Sequence, residues 1–143
     1  MITIKWEDAQ VLAYLEGVQG RVADMQPVMG RVAAGMHQSI DMNFDAEGRP
    51  TPWTPLSEET VRRRGSSHPI LNETGALRAS FQEESTATTA TVYTDNPKGF
   101  AHQYGFVNKW GRWTPARPMV VIPDSDVQRF LAEIGQFVIH GVV

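Results

Sequence analysis

The sequence contains no cysteine among its 143 residues, which excludes disulfide bonds and thiolate metal sites. It has no apolar run approaching the roughly 20 residues that a membrane-spanning helix requires. The first eight residues lack the basic and then apolar order of a signal peptide, so none is expected. Neither an internal repeat nor a low-complexity tail is present. These absences predict one folded domain over residues 1–143 with no membrane partner.

Charge of either sign is also scarce, because 16 acidic and 13 basic residues give a net charge of −3. That balance argues against a dedicated nucleic-acid-binding protein, although it permits a local basic patch. The hydrophobic fraction of 41% is ordinary for a globular domain. A chain of this length is therefore expected to bury a sizeable core.

Apolar residues at intervals of three or four predict helices at both ends of the chain. The first begins near Glu7, and its stripe contains Leu12, Leu15, Val18 and Val22. A second helix of about 18 residues follows Asp24 and Pro27, with Val28, Val32, Met36, Ile40 and Phe44 on its stripe. A last helix, capped by Asp124 or Ser125, carries Val127, Phe130, Leu131, Ile134, Phe137 and Val138. A short helix between Ser57 as its N-cap and Gly65 as its C-cap is also predicted.

Alternating apolar residues predict strands over residues 2–6, 81–85 and 90–95, and a further strand over 119–122. The Asn96–Gly99 segment is expected to break the pattern before one helical turn over 100–105. Residues 106–114 show no period and are predicted to form a loop. The predicted fold is α+β, with a small antiparallel or mixed sheet of about four strands covered by N-terminal helices and a C-terminal helix.

An extended arm is predicted between the second helix and Ser57, because three prolines occur within the six residues Pro50–Pro55. Proline removes a backbone donor, and the residue before it is driven away from helical geometry. The arm therefore needs a surface to lie on. Trp53 and Leu56 are expected to anchor it, with Trp53 buried in its own subunit.

No residues with the spacing of a catalytic or metal site are found. The four histidines do not match a zinc motif, and no glycine-rich loop could hold a phosphate. Glu83 and Glu84 would face opposite sides of a strand and cannot share a substrate. The sequence therefore predicts no enzymatic activity, no cofactor and no metal. A hydrolase that uses His102 or His140 is the weakest hypothesis considered.

Large apolar and cationic side chains on irregular backbone are the unusual feature of the sequence. Such residues often dominate protein interfaces. The candidate interface residues are Trp53, Leu56, Arg62, Arg63, Arg64, Trp110, Trp113 and Arg117. An alternative is a nucleic-acid-binding module that uses Arg62–Arg64 and the loop from Trp110 to Trp113. Arg117 stands between two prolines and is expected to bind a fixed bidentate partner in its own chain or in a neighbour.

Four segments, in the same order along the chain, resemble those of phage virion morphogenesis proteins, the tail-completion and neck proteins of Mu-like and related tailed phages. They are Trp53-Thr-Pro-Leu-Ser57 with Thr60 and the arginines, Pro69–Ser80, Ala101-His-Gln-Tyr-Gly105, and Pro115-Ala-Arg-Pro118. Met119-Val120 departs from the pattern, since relatives carry Phe before an aliphatic residue.

The resemblance implies a structural protein of the virion, located in the tail or neck after assembly in the host cytoplasm. It implies a homo-oligomeric ring, commonly sixfold, that contacts the tail tube or the neck and connector proteins and closes the tail for joining to a filled head. Nucleic acid would be met only by proximity inside the virion. A closing ring requires two different contact surfaces on each subunit. The arm around Trp53 and the loop from Trp110 to Trp113 are the two candidates.

Overall fold

The computed structural model describes residues 1–3 and 8–143. The described residues form five α-helices and two short antiparallel strand pairs. The helices are α1 (Asp8–Ala23), α2 (Gln26–Asp45), α3 (Glu58–Arg64), α4 (Pro97–Tyr104) and α5 (Asp124–His140). The strands are β1 (Phe81–Ser85), β2 (Ala90–Thr94), β3 (Phe106–Val107) and β4 (Trp113–Thr114), and a 3-10 turn (Arg78–Ser80) precedes β1.

The α+β class predicted from the sequence is confirmed, but the single sheet of about four strands is wrong. Strand β1 pairs with β2 in a register that runs from Phe81 opposite Thr94 to Ser85 opposite Ala90. Strand β3 pairs only with β4, in a separate sheet. The strand predicted over residues 2–6 falls mostly on residues 4–7, outside the described part of the chain.

The strand predicted over residues 119–122 is also wrong, because side chains take the hydrogen bonds that a neighbouring strand would make. Gln103 Oε1 accepts from two backbone N–H groups of this segment, at 2.9 and 3.0 Å. Asn43 Nδ2 donates to the carbonyl oxygens of Met119 and Val121, each at 2.8 Å. Side chains thus satisfy four backbone groups of this segment without a neighbouring strand.

Residues 106–114, predicted to be a loop, instead form the hairpin of β3 and β4. Asn108 closes its turn, since Asn108 Oδ1 accepts from the amides of Trp110 and Arg112, both at 3.0 Å. Gly111 adopts a φ of +74°, which glycine tolerates best. The strands are two residues long, too short to show the alternation by which a sequence indicates a strand.

Helix α4 begins earlier than predicted, because residues 97–99 belong to it. Asn96 is its N-cap, and the Asn96 side chain accepts a hydrogen bond from the amide of Lys98 at 3.0 Å. Pro97 occupies the first turn, where its missing N–H costs nothing. The predicted cap of α3 is confirmed, with Ser57 accepting from the Thr60 amide. Helix α5 follows Pro123 and has no side-chain cap, contrary to prediction.

Helix α2 lies at the centre of the fold, packed against β1 and β2 on one side and against α5 on another. Its predicted apolar stripe is correct, with Met36 half-buried and the other four residues buried. The main core cluster consists of Ile40, Phe44, Trp53, Ile70, Leu77, Phe81 and Met119. A second cluster joins α2 to α5 through Val28, Met29 and Phe137.

Helix α1 differs from the others because none of its described residues is buried. It packs against α5, where the Arg21 guanidinium donates to the carbonyls of Val138 and Ile139 at 2.8 and 3.0 Å. Leu12 and Leu15 on its apolar stripe stay more than half exposed. The predicted helix is therefore present, but the described residues do not cover its apolar face.

Candidate functional site

A groove of about 900 Å³ lies between two walls in the described part of the chain. One wall consists of the arm and α3. The other consists of α4, the β3–β4 hairpin and the segment after it. The candidate interface residues that line it are Leu56, Arg63, Arg64, Trp110, Trp113 and Arg117. The arm and the hairpin, expected from the sequence to form two separate surfaces, thus face a single groove.

Trp53 anchors the arm from behind the groove. Only 5% of the residue is exposed, so it is buried in its own subunit as predicted. Its ring meets Phe44 edge to face, with centroids 5.6 Å apart. Its Nε1 donates to the carbonyl of Pro118 at 2.7 Å, which joins the arm to the segment after β4.

Arg117 makes the reciprocal connection between the same two segments. It is only 4% exposed, and burial lowers the pKa of its guanidinium. Nε donates to the carbonyl of Thr54 at 2.7 Å and Nη2 to that of Pro55 at 2.8 Å. The fixed bidentate partner expected for Arg117 is thus a pair of main-chain carbonyls within its own chain.

Replacing Arg117 by lysine is expected to lower the free energy of unfolding by about 1.5–3 kcal/mol, although the charge is kept. A single ammonium cannot reach both carbonyls in the fork geometry of a guanidinium, so one charge-assisted hydrogen bond is lost. Urea denaturation measures the change. The control is Arg112→Lys, because that side chain is 73% exposed and should shift stability by less than about 0.5 kcal/mol. Equal effects of the two substitutions would contradict the assignment.

The hairpin wall presents two indole rings to solvent. Trp110 is 66% and Trp113 is 64% exposed. Trp113 lies directly over Gly105, where an added Cβ would stand 2.6 Å from the ring. Gly105 also has a φ of +79°, so both backbone conformation and space require glycine at the end of the Ala101–Gly105 segment.

The groove is cationic, although the whole chain carries a net charge of −3. Five of its lining side chains are lysine or arginine and two are glutamate. Arg112 Nη1 lies 2.7 Å from Glu59 Oε2 and links the hairpin to α3 across the groove. Both side chains are about three-quarters exposed, so this bridge contributes at most about 1 kcal/mol.

His102 lies in the α4 wall and is the buried polar group that the described structure leaves unsatisfied. Its Nδ1 has no hydrogen-bond partner. Burial, with smaller effects of Arg117 and Lys98, holds the pKa of His102 below its usual value. The imidazole is therefore neutral at neutral pH. No described side chain forms a hydrogen bond with this imidazole of the kind that would orient it as a catalytic base or acid.

Two of the predicted residues lie apart from the groove lining. Trp53 belongs to the main core cluster, and Arg62 is exposed but does not line the groove, although its neighbours Arg63 and Arg64 do. The role of Glu59 was not anticipated from the sequence, and neither was the exposed pair of Phe100 and Tyr104 on α4, whose rings are 4.9 Å apart. Recognition of the Asn96-Pro97 helix start would have indicated which residues share that face.

The described residues contain no group of three or more side chains arranged to hold a metal ion. Among those same residues, no helix is both long and apolar enough to cross a bilayer. The fold and the groove thus define a small α+β protein whose distinctive features are a cationic groove and exposed apolar residues on α1 and α5.

Residues 6–138, nearly the whole chain, match the model of the phage virion morphogenesis family. The protein belongs to that family, which confirms the resemblance seen in its sequence and associates it with virion assembly. Neither a curated protein nor a solved structure matched the chain.

Proposed function

We propose that this protein is a non-enzymatic structural component that completes the tail or neck of a phage particle, so that the tail can join a filled head. It acts as a homo-oligomeric ring in contact with the tail tube or the connector. Family membership supports a role in virion assembly. The observation that carries the oligomeric part is α1, a 16-residue helix with an apolar stripe and no buried residue.

The apolar stripe of α1 has a counterpart on α5. Val11, Leu15, Val18 and Val22 follow one another at intervals of four, three and four residues. On α5 the residues Val127, Leu131, Ile134 and Val138 repeat the same intervals, and Val127 and Leu131 are exposed. Intervals of this kind form the seams by which helices of different chains associate.

A ring needs two different surfaces on each subunit, and the two that we propose differ from those expected from the sequence. The arm and the hairpin form one surface, the groove. The second surface is the apolar face of α1 and α5, which we name the helix face and define by Val11, Leu15, Val127 and Leu131. Isolated helices are marginal without tertiary packing, so association would also stabilise α1.

Replacing Leu131 by aspartate is expected to abolish self-association while leaving the fold intact. The side chain is 56% exposed in the single chain, so a charge there costs the isolated subunit little. In an assembled apolar seam the same charge would be buried and unpaired, which is strongly unfavourable. Light scattering coupled to size exclusion measures the change, and circular dichroism checks folding.

Gln136→Asp provides the matched control on the same helix. It adds the same charge at an exposed position about 140° around α5 from Leu131, given 3.6 residues per turn. Association should persist in this variant. If both variants remain associated, or both dissociate, the helix face is not the contact.

The tail-completion role is tested by electron microscopy of particles made without the protein. Free filled heads beside unattached tails are expected. Light scattering of the purified protein, alone and with purified tail tubes, tests the partner directly. A protein that stays monomeric and does not respond to tails would overturn the proposal.

Nucleic-acid binding through Arg62–Arg64 and the Trp110–Trp113 hairpin is the alternative function. It has less support, because Arg62 does not line the groove with the other candidate residues. A steep loss of DNA affinity with increasing salt would favour it, since phosphate contacts release counterions. Absence of DNA binding at low salt would remove it.

A further inference from the structure

We propose that the groove between α3 and the β3–β4 hairpin binds an extended acidic segment of another protein, in which carboxylate side chains alternate with apolar ones. The inference concerns the groove alone and does not depend on the tail-completion role; in the proposed ring, the molecule that adjoins the groove would supply the segment. It rests on the charge of the groove, on its apolar lining and on the bridge that crosses it.

The charge of the groove selects an anionic occupant. Its five cations and two carboxylates give it a net charge of +3, whereas the rest of the chain is acidic. Arg63, Lys98 and Arg112 are exposed and can reach a ligand. Like-charged side chains gathered along one concave surface repel each other, so a complementary anion would relieve that repulsion as well as bind.

The apolar lining selects a peptide over a nucleic acid. Leu56, Leu71 and Phe106 are half-buried in the lining, and the indoles of Trp110 and Trp113 stand beside them. Duplex DNA presents mainly its charged phosphate–sugar backbone and polar base edges, which match an apolar lining poorly. An extended peptide places successive side chains on opposite sides, so its apolar residues can meet the lining while its carboxylates reach the cations. The volume, about 900 Å³, lies near the upper end of the roughly 300–1,000 Å³ of ligand sites.

The bridge between Arg112 and Glu59 shows how a carboxylate is accommodated in this groove. Glu59 places its carboxylate 2.7 Å from the guanidinium and thereby occupies the position that a ligand carboxylate would take. Because both side chains are exposed, the exchange of one carboxylate for another costs little. Glu59 is therefore an internal competitor of the ligand, and its removal should strengthen binding.

Fluorescence anisotropy of a labelled decapeptide tests the proposal. In the probe peptide, aspartate and glutamate alternate with leucine and phenylalanine. A second peptide replaces every acid by its amide, and labelled oligothymidylate reports nucleic-acid binding. The acidic peptide is expected to bind at low salt and the amide peptide to bind at least tenfold more weakly.

Three substitutions on α3 then localise the binding. Arg63→Gln should weaken the acidic peptide by about two- to fivefold, the range of an exposed ion pair. Glu59→Gln should strengthen it by a similar factor. Arg62→Gln is the matched control, because the neighbouring arginine is exposed but lies outside the groove, and it should leave affinity unchanged.

The proposal is overturned if the acidic peptide does not bind, or if the amide peptide binds equally well. It also fails if Arg62→Gln weakens binding as much as Arg63→Gln, since that indicates a diffuse field and no site. Preferential binding of oligothymidylate would assign the groove to nucleic acid instead. Melting temperatures of the three variants, all altered at exposed positions, confirm that each is folded.

Discussion

Replacing Trp53 by alanine is expected to lower the free energy of unfolding by about 3–5 kcal/mol, the range for removal of a buried aromatic side chain. The indole is 5% exposed and packs in the main core cluster against Phe44. Its loss also leaves the carbonyl of Pro118 without its donor. For a domain whose total stability is on the order of 5–15 kcal/mol, such a change removes a large share of it.

Trp110→Ala is the control, because it distinguishes the effect of removing a buried tryptophan from that of removing an exposed one. The same side chain is deleted, but Trp110 is 66% exposed, so stability should change by less than about 0.5 kcal/mol. Urea denaturation followed by circular dichroism measures both variants without relying on tryptophan fluorescence. A loss below about 1 kcal/mol for Trp53→Ala would show that the arm does not depend on its anchor.

The second large effect is expected for Asn43→Asp, which should cost at least about 3 kcal/mol. Asn43 is fully buried, and its amide group donates to the carbonyls of Met119 and Val121. A carboxylate of the same shape only accepts hydrogen bonds, so it would face two carbonyl oxygens and leave both unsatisfied. The bond from Arg49 Nε to the side-chain oxygen, at 2.9 Å, can persist and offsets part of the loss.

The same substitution at Asn96 should not lower the free energy of unfolding. Asn96 caps α4 through its side-chain oxygen, which accepts from the amide of Lys98 at 3.0 Å. A carboxylate retains that acceptor and interacts favourably with the helix dipole, so stability should stay equal or rise by up to about 1 kcal/mol. Calorimetric melting of Asn43→Asp and Asn96→Asp side by side checks the pair. Similar melting temperatures for the two variants would contradict the roles assigned to both asparagines.

The elements predicted correctly are those whose signals lie close together in the sequence. The stripe of α2 repeats every four residues from Val28 to Phe44, and α3 has a serine at its start and a glycine at its end. Strands β1 and β2 form a hairpin with a short polar turn. In each case, neighbouring residues determine the local structure, and no distant contact overrides it.

The elements that were missed depend on distant side chains or have no periodic signal. Residues 119–122 have the composition of a strand, but Asn43 and Gln103 satisfy their backbone from other parts of the chain. The β3–β4 hairpin was missed for a local reason, because its two-residue strands show no alternation and Asn108 within its turn closes it. Likewise, periodicity identified the apolar stripe of α1 but could not reveal that residues 1–3 and 8–143 leave it exposed.

The sequence predicted which residues belong to the candidate site but not that they lie together in one groove. The tryptophans and arginines on irregular backbone were predicted to be interface residues, and six of the eight candidates line one groove. That Leu56 and Trp113 line the same groove follows from the way Arg117 and Trp53 fasten the arm to a segment about 60 residues further on. Such pairings depend on the whole fold and have no local sequence signal.

In each hydrogen bond that fastens the arm, the donor is a side chain and the acceptor is a main-chain carbonyl oxygen. Trp53 bonds to the carbonyl of Pro118, and Arg117 bonds to those of Thr54 and Pro55. Every residue type supplies a carbonyl oxygen, so the residues that receive these bonds can change without loosening the frame. The side chains of Trp53 and Arg117 can therefore hold this wall of the groove in place while the residues on its outer face vary. Related proteins could in this way accept different partners on one scaffold.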